Sequence, residues 1–384
     1  MNESKLLYAL ALQAVPNIGD ITAKKLINHC GSPEAVFETP LSMLSKIEGV
    51  GGYALKHLNE SKYLKLAEKE LAFMDKYSVK GLYFEDSNYP YRLKHCIDGP
   101  IVLFQKGNIN LHHNKIISIV GSRKITSYGK SFCEELIHEL SPLNPIIISG
   151  FAYGVDICAH KAAIKNKLQT IAVLAHGFQH MYPKVHKKYT DSVLENGGFL
   201  TEFWHETPPL REHFLRRNRI VAGISKATII IESAVKGGSL VTADIANSYN
   251  RDVFSVPGRT SDIYSKGCND LIKKNAAYLL NSASDIAEIL NWDLPQKPKS
   301  IQKQLNRLDC SAGFADGILG KKTLSALERW KNAGGNYTPN KIDQKLRSDL
   351  FESKYKCSAF DSSYSPSSNW KSITGIWDVT FKKC

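Results

Sequence analysis

Three short segments, each rich in glycine and serine, in basic residues, or in both, suit the binding of phosphate. They are Gly121-Ser122-Arg123, Arg217-Asn218-Arg219 and Lys236-Gly237-Gly238-Ser239. Glycine lets a backbone approach a ligand closely, free amides at a helix start attract anions, and arginine supplies a forked cation. Two such turns and an arginine cluster predict a groove for a phosphate backbone more naturally than a pocket for one nucleotide.

Short apolar runs precede these segments and predict the strands that hold them. The runs cover residues 116–120, 146–150, 170–174, 199–202, 227–232 and 252–258. Longer segments with helical spacing separate most of them, which is typical of an α/β fold with a parallel sheet and helices on both faces. Ligands bind beyond the carboxyl ends of such strands. Gly150 ends the second run and is predicted to permit close approach there.

The composition favours a polyanionic partner. The chain has 384 residues, 43% of them hydrophobic, and a formal net charge of +13. That charge favours nucleic acid, although a basic and well-solvated surface is the open alternative. The 8 cysteines contain no C-x-x-C pair, no apolar stretch is long enough to span a membrane, and no secretion leader is evident. We expect a cytoplasmic protein without a zinc site or membrane contact.

An enzyme that processes nucleoside phosphates is the alternative function. A phosphoribohydrolase of the Rossmann type needs a proline-led glycine turn and a carboxylate pair, whereas the turn here begins at Lys236 and only Asp244 follows as an acid. His160, His176 and His186 have no metal-ligand spacing. We therefore predict no catalytic residue, no cofactor and no metal. A scaffold that mainly contacts proteins is a third hypothesis.

Longer motifs surround the three segments in a fixed order. They are Val120-Gly121-Ser122-Arg123, Ser149-Gly150 with Gly154-Val155-Asp156, Tyr182-Pro183, Arg217-Asn218-Arg219-Ile220, Gly237-Gly238-Ser239 with Thr242-Ala243, and Val256-Pro257-Gly258. Over residues 6–290 the chain resembles the DNA-processing protein A family, called DprA or Smf. The resemblance implies an extended Rossmann fold, single-stranded DNA binding, homodimers, and loading of the RecA recombinase during natural transformation.

The resemblance also implies which residues bind DNA. Carried over position by position, they are Ser122, Arg123, Lys184, Arg217, Arg219, Gly237, Gly238 and Ser239. Gly150 joins them because of its place at a strand end, and Arg123 is the strongest expectation. The predicted function is a non-enzymatic single-stranded DNA-binding protein that protects incoming DNA and loads RecA.

The flanking regions suggest further domains. A helical region, residues 1–63, contains two helix-hairpin-helix-like turns at residues 15–20 and 47–51; whether they contact DNA or only join helices stays open. Lead-in strands and a helix at 64–112 precede the Rossmann domain, 113–290. A linker, 291–300, leads to a module, 301–335, and a basic tail, 336–384. Residues 301–334 of that module, with the Asp316-Gly317 turn, resemble a small three-helix peptidoglycan-binding repeat.

Overall fold

The computed structural model describes residues 3–292, 298–310, 312, 321–335, 346, 349–350 and 353. The chain divides into two compact units, Met1–Ile286 and Ala287–Cys384. Among the described helices, none combines the length and the apolar character that a membrane crossing requires.

A mixed sheet forms the centre of the first unit. In the described part of the chain its strands are β1 (Lys80–Tyr83), β2 (Val102–Gly107), β3 (Ile116–Val120), β4 (Ile146–Ser149), β5 (Thr170–Val173), β6 (Gly197–Thr201), β7 (Ala227–Ile230), β8 (Asp252–Ser255) and β9 (Tyr278–Leu279). Their spatial order is β1-β2-β6-β5-β4-β3-β7-β8-β9. β1 pairs with β2, and β2 with β6, in the antiparallel direction. All further neighbours in the spatial order, from β6 through β3 to β9, are parallel. The predicted α/β class is confirmed.

Helices precede the sheet and alternate with its strands. The helices before the sheet are α1 (Glu3–Ala14), α2 (Asp20–Cys30), α3 (Pro33–Glu38), α4 (Leu41–Leu44), α5 (Gly52–Leu55) and α6 (Lys62–Tyr77). Those that follow are α7 (Tyr91–Lys94), α8 (Ser127–Leu140), α9 (Val155–Lys165), α10 (Thr190–Glu195), α11 (Arg211–Ile224), α12 (Gly238–Ser248), α13 (Lys266–Lys273) and α14 (Ala283–Leu290). Short 3₁₀ helices cover Ser141–Leu143 and Lys184–Tyr189. The predicted boundary after residue 63 lies in the first turn of α6.

One continuous apolar core joins the N-terminal helices to the sheet. It includes Leu10 and Leu26 from the helices and Val102, Ile148 and Ile220 from the sheet region, all fully buried. Burial of this kind is the main favourable contribution to folding. The helical region and the sheet therefore belong to one compact unit.

Polar contacts fix how the first hairpin-like turn meets the sheet. Asp20, at the start of α2, accepts hydrogen bonds from the Ile101 amide at 3.0 Å and from Arg219 at 3.0 Å. Arg216 also contacts this carboxylate at 3.3 Å. The turn at residues 15–20 thus packs against the sheet region through Asp20, while Pro16, Asn17 and Gly19 are exposed. Contact of this turn with DNA stays a prediction.

The second unit contains two described helices, α15 (Pro298–Arg307) and α16 (Lys321–Asn332). Ile301, Leu305, Leu327 and Trp330 are buried in a core of their own. Cys310 in this unit is disulfide-bonded. The Asp316-Gly317 turn and most of the basic tail lie outside the described residues, so the likeness to a peptidoglycan-binding repeat stays a prediction.

Candidate functional site

A groove opens where the strand order of the sheet reverses. β3 pairs with β4 on one side and with β7 on the other, and all three are parallel. Their carboxyl ends therefore meet at one edge, where α/β sheets usually bind ligands. The groove has a volume of about 650 Å³ and is lined by the turns after β3, β4 and β7 together with the starts of α11 and α12.

The turn Gly121-Ser122-Arg123 follows β3 and is held rigidly. The Ser122 amide donates to the Glu232 carbonyl at 2.7 Å, and the Ser122 carbonyl accepts from the Val155 amide at 3.1 Å. The Ser122 Oγ accepts from the Lys124 amide at 3.0 Å. Both backbone polar groups of Ser122 are thus used, so its contribution to a ligand is the hydroxyl proton.

Arg123 is exposed at the end of this turn. Its guanidinium lies 5.1 Å from the centroid of the Phe214 ring, which also lines the groove. A cation over an aromatic face is attracted by the ring quadrupole and is held in a defined orientation. The guanidinium can contact a phosphate, and the ring beside it can stack on a base.

The start of α8 is not open to a ligand, contrary to the expectation from the sequence. The Glu232 carboxylate accepts a hydrogen bond from the Thr126 amide at 2.9 Å and a second from the Thr126 hydroxyl. Glu232 is buried at 3% exposure. A carboxylate of the chain therefore occupies the place at which this helix would attract an anion.

The start of α12 is open. Gly237 precedes the helix without a side-chain cap, and the first turn contains no acid. Gly238 is exposed, and a Cβ added there would meet no atom within 4 Å. The Ser239 hydroxyl donates to the Ser233 hydroxyl at 2.9 Å. Since the first amides of a helix lack intrahelical partners, this end of the groove attracts anions.

Arg217 forms part of the groove floor. It is only 4% exposed, and its Nη1 donates to the Val173 carbonyl. A Cβ added to Gly150 would lie 2.1 Å from that Nη1, so the glycine makes room for the guanidinium. Burial lowers the pKa of Arg217, while the neighbouring Asp156 carboxylate opposes the shift. Gly150 and Arg217 thus shape the floor together.

Two predicted site residues lie elsewhere. Arg219 points away from the groove and pairs with Glu202 and Asp20, so it stabilises the contact with the N-terminal helices. Lys184 is exposed at the start of the 3₁₀ helix Lys184–Tyr189 and does not line the groove, although Tyr182 does. The other predicted residues, Ser122, Arg123, Gly150, Arg217, Gly237, Gly238 and Ser239, line one groove.

The structure adds aromatic rings to the site, together with two cations that were not among the predicted DNA-binding residues. Arg211 and Lys236 are exposed lining residues, and Phe214, Tyr182 and Tyr264 add rings. Lys236 belongs to the glycine segment that the sequence predicted to bind phosphate. Arg211, at the helix start, needed the fold to place it.

Acids are scarce at the groove. Asp156 is the one carboxylate among the described lining residues; burial raises its pKa, while Arg217 opposes that shift. Asp244 is exposed on α12 and does not line the groove. Within the described residues, no three His, Cys, Asp or Glu side chains group in a way that could hold a metal ion. A phosphate therefore meets four groove cations and one buried carboxylate.

Comparison with known families adds a specific match. Residues 80–291 match the family model of DNA recombination-mediator protein A. The DNA processing protein DprA of Bacillus subtilis is 36% identical over 266 residues, which is 69% of this chain and 88% of the relative. Protein Smf of Escherichia coli is 36% identical over 232 residues, which is 59% of this chain and 62% of the relative.

Two solved structures are similar as well. The X-ray structure of DNA processing protein A from Streptococcus pneumoniae matches with a TM-score of 0.63 and 30% identity, covering 73% of this chain and 96% of that one. DNA processing protein A from Helicobacter pylori, solved for its single-stranded DNA binding mode, matches with a TM-score of 0.51 and 29% identity, covering 56% of this chain and 96% of that one.

Proposed function

The chain belongs to the DNA recombination-mediator protein A family, and from this premise we propose that it binds single-stranded DNA in the groove between β3 and β7. It acts as a binding protein and not as an enzyme. The Helicobacter pylori relative, with its single-stranded DNA binding mode, supports this assignment.

One observation carries the proposal. Four cations, Arg123, Arg211, Arg217 and Lys236, line a groove that contains one buried carboxylate. Proteins that bind single strands without sequence preference combine a basic groove with aromatic stacking surfaces. Phe214 beside Arg123 supplies such a surface.

The residues divide into two roles. Arg123, Arg211 and Lys236 are exposed and contact phosphates directly, together with the hydroxyl of Ser122 and the amides of Gly238 and Ser239. Arg217 and Gly150 form the floor, and Lys184 lies beyond the groove. Arg219 contributes by holding the fold.

The wider role in the cell extends this proposal. From the family resemblance we propose that the chain protects incoming single strands, loads the RecA recombinase onto them in natural transformation, and works as a homodimer in the cytoplasm. Pull-down of purified RecA by the DNA-bound protein, and a molar mass of twice the chain in light scattering, are the expected results.

The test is a paired charge reversal in the groove. Arg123→Glu with Lys236→Glu removes two exposed phosphate contacts, and fluorescence anisotropy with a labelled oligothymidine should show an affinity loss of about tenfold or more. The log–log salt slope should become shallower by about 1.4, since each single-strand contact contributes roughly 0.7.

The matched control carries the same charge change elsewhere. Lys273→Glu with Lys274→Glu alters two exposed lysines at the end of α13, near the amino ends of β8 and β9. This variant should bind nearly as the parent does. Equal losses in both variants would mean that overall charge, and not the groove, determines affinity.

A further inference from the structure

A basic surface continues from the groove along the chain. Between Asp156 and Asp191 the sequence contains six lysines and no Asp or Glu. We use the name distal strip for Tyr153, Lys161, Lys187 and Lys188, which are all exposed. Lys184, which the family resemblance already implies as a DNA contact, lies next to it in the chain. A stretch with this charge has no local acid to neutralise it, so it suits a polyanion.

The strip begins where the groove ends. Ala152 lines the groove, and Tyr153 follows it directly. The next residue, Gly154, has a φ of +76°, and a Cβ there would lie 2.1 Å from the Ser122 carbonyl oxygen. The loop that displays Tyr153 is therefore pressed against the Gly121-Ser122-Arg123 turn, with no gap between the two surfaces.

Tyr153 is a fixed, exposed aromatic side chain. It is 43% exposed, and its ring centroid lies 5.2 Å from that of His186 in an edge-on arrangement. His186 is buried, and its Nδ1 lies 2.9 Å from the Phe151 carbonyl, to which it donates. The histidine thus supports the tyrosine from below and leaves ring surface open for stacking.

Lysines of α9 and of the following 3₁₀ helix lie over a second ring, that of Tyr189, whose centroid is 6.0 Å from that of His186. Lys161 and Lys188 lie 5.7 Å and 5.2 Å from the centroid of the Tyr189 ring. Lys184 and Lys187 are exposed on the same short helix, and Val185 beside them is 53% exposed. Cations alternating with exposed apolar and aromatic surface are typical of a path for a single strand.

We infer that the distal strip is a second contact for the same single strand, which leaves the groove beside Ser122 and continues over Tyr153 toward Lys161 and Lys188. This inference rests on the proposed function. A base stacks on Tyr153, and the lysines neutralise the phosphates on either side of it. The site then extends beyond the nucleotides that the groove holds.

Oligonucleotide length separates the two surfaces. An oligothymidine of about 6 nucleotides fills the groove, whereas one of about 20 also reaches the strip. Lys161→Glu with Lys188→Glu should weaken the long oligonucleotide about tenfold and make its salt slope shallower by about 1.4. The same variant should bind the short oligonucleotide within about twofold of the parent, which also shows that the groove is folded.

Tyr153 gives an independent arm of the same experiment. Tyr153→Ala should weaken the long oligonucleotide about tenfold, and Tyr153→Phe should restore it because the ring is kept. Lys273→Glu with Lys274→Glu is the charge-matched control and should leave both oligonucleotides bound as by the parent.

Two results would overturn the inference. Unchanged affinity of the strip variants for the long oligonucleotide is one, and an equal loss for both lengths is the other. In either case binding of the short oligonucleotide by the parent leaves the groove assignment standing. If the parent binds neither length, the proposed function itself fails and the strip with it.

Discussion

At the scale of single residues, identical residue types serve different purposes within one motif. Arg217 and Arg219 are two positions apart on α11, yet the first lines the groove floor and the second pairs with Glu202 and Asp20. On a helix, positions two apart do not face the same side. Sequence motifs therefore located the arginine cluster, whereas only the fold assigns each arginine its partner.

Histidines near the groove illustrate the same limit. His160 is fully buried, its Nδ1 lies 2.7 Å from the Thr170 hydroxyl, and its Nε2 has no partner in the described part of the chain. Burial lowers its pKa to about 3, with further lowering by Arg217 and His186. The sequence could exclude a recognised metal spacing but could not reveal this buried neutral ring.

This histidine predicts how stability depends on pH. The folded state keeps His160 neutral down to about pH 3, whereas the unfolded chain binds a proton below about pH 6.5. This group therefore leaves the free energy of unfolding unchanged above about pH 6.5 and lowers it progressively as the pH falls below that value. His160→Leu should reduce the loss in free energy of unfolding between about pH 7 and 5 by about 2 kcal/mol, measured by urea denaturation.

An exposed histidine provides the comparison for that measurement. His112 is exposed, and His112→Gln removes an imidazole without altering the buried one, so it controls for the loss of a histidine as such. A His160→Leu protein with the same pH dependence as the parent would show that the imidazole is not held neutral.

At the scale of elements, the two helix starts that flank the groove differ. Both follow a strand and a glycine-containing turn, so the sequence predicted an anion site at each. Glu232 fills the start of α8 from the end of the neighbouring strand, while the start of α12 keeps its amides open. A contact between residues 106 apart has no local signature, which is why sequence alone could not tell the two apart.

Glu232 should therefore stabilise the fold. Glu232→Ala removes the protein acceptor of the Thr126 amide and hydroxyl, and the free energy of unfolding should fall by about 0.5–2 kcal/mol in chemical denaturation. Glu232→Gln keeps one acceptor oxygen and should lose less. Unaltered stability in the alanine variant would contradict a capping role.

The strands themselves followed the sequence closely. Apolar β-branched runs gave β3, β4, β5 and β7 nearly residue by residue because strands buried on both faces need continuous apolar side chains. The lead-in strands predicted within residues 64–112 are β1 and β2, which lie at one edge of the sheet. The two-residue strand β9 was missed, since Tyr278 and Leu279 form it only by pairing with Phe254 and Ser255.

At the scale of the whole molecule, the N-terminal helices and the sheet act as one unit around a shared core. Asp20 joins the first hairpin-like turn to Ile101 and Arg219, and Trp204 donates to Gln13 at 2.9 Å. The sequence suggested two separate regions because a glycine-containing turn has the same sequence pattern whether it contacts DNA or packs against protein. The long-range polar contacts show that the first turn packs on the sheet region through Asp20.

The fold also shows where part of the positive charge of the molecule lies. A surplus of +13 favours nucleic acid without saying where it binds. The groove gathers Arg123, Arg211 and Lys236 at the carboxyl edge of the sheet, and the distal strip extends from there. The central claim is that this edge holds the backbone of a single strand.

The most direct test is anisotropy of a labelled oligothymidine, measured from about 50 to 200 mM salt with a matched duplex as competitor. We predict a log–log salt slope of about −2 or steeper, since three exposed groove cations each contribute roughly −0.7. We also predict that the duplex competes poorly. A flat salt response, or a duplex that competes as well as the single strand, would contradict the assignment of this groove.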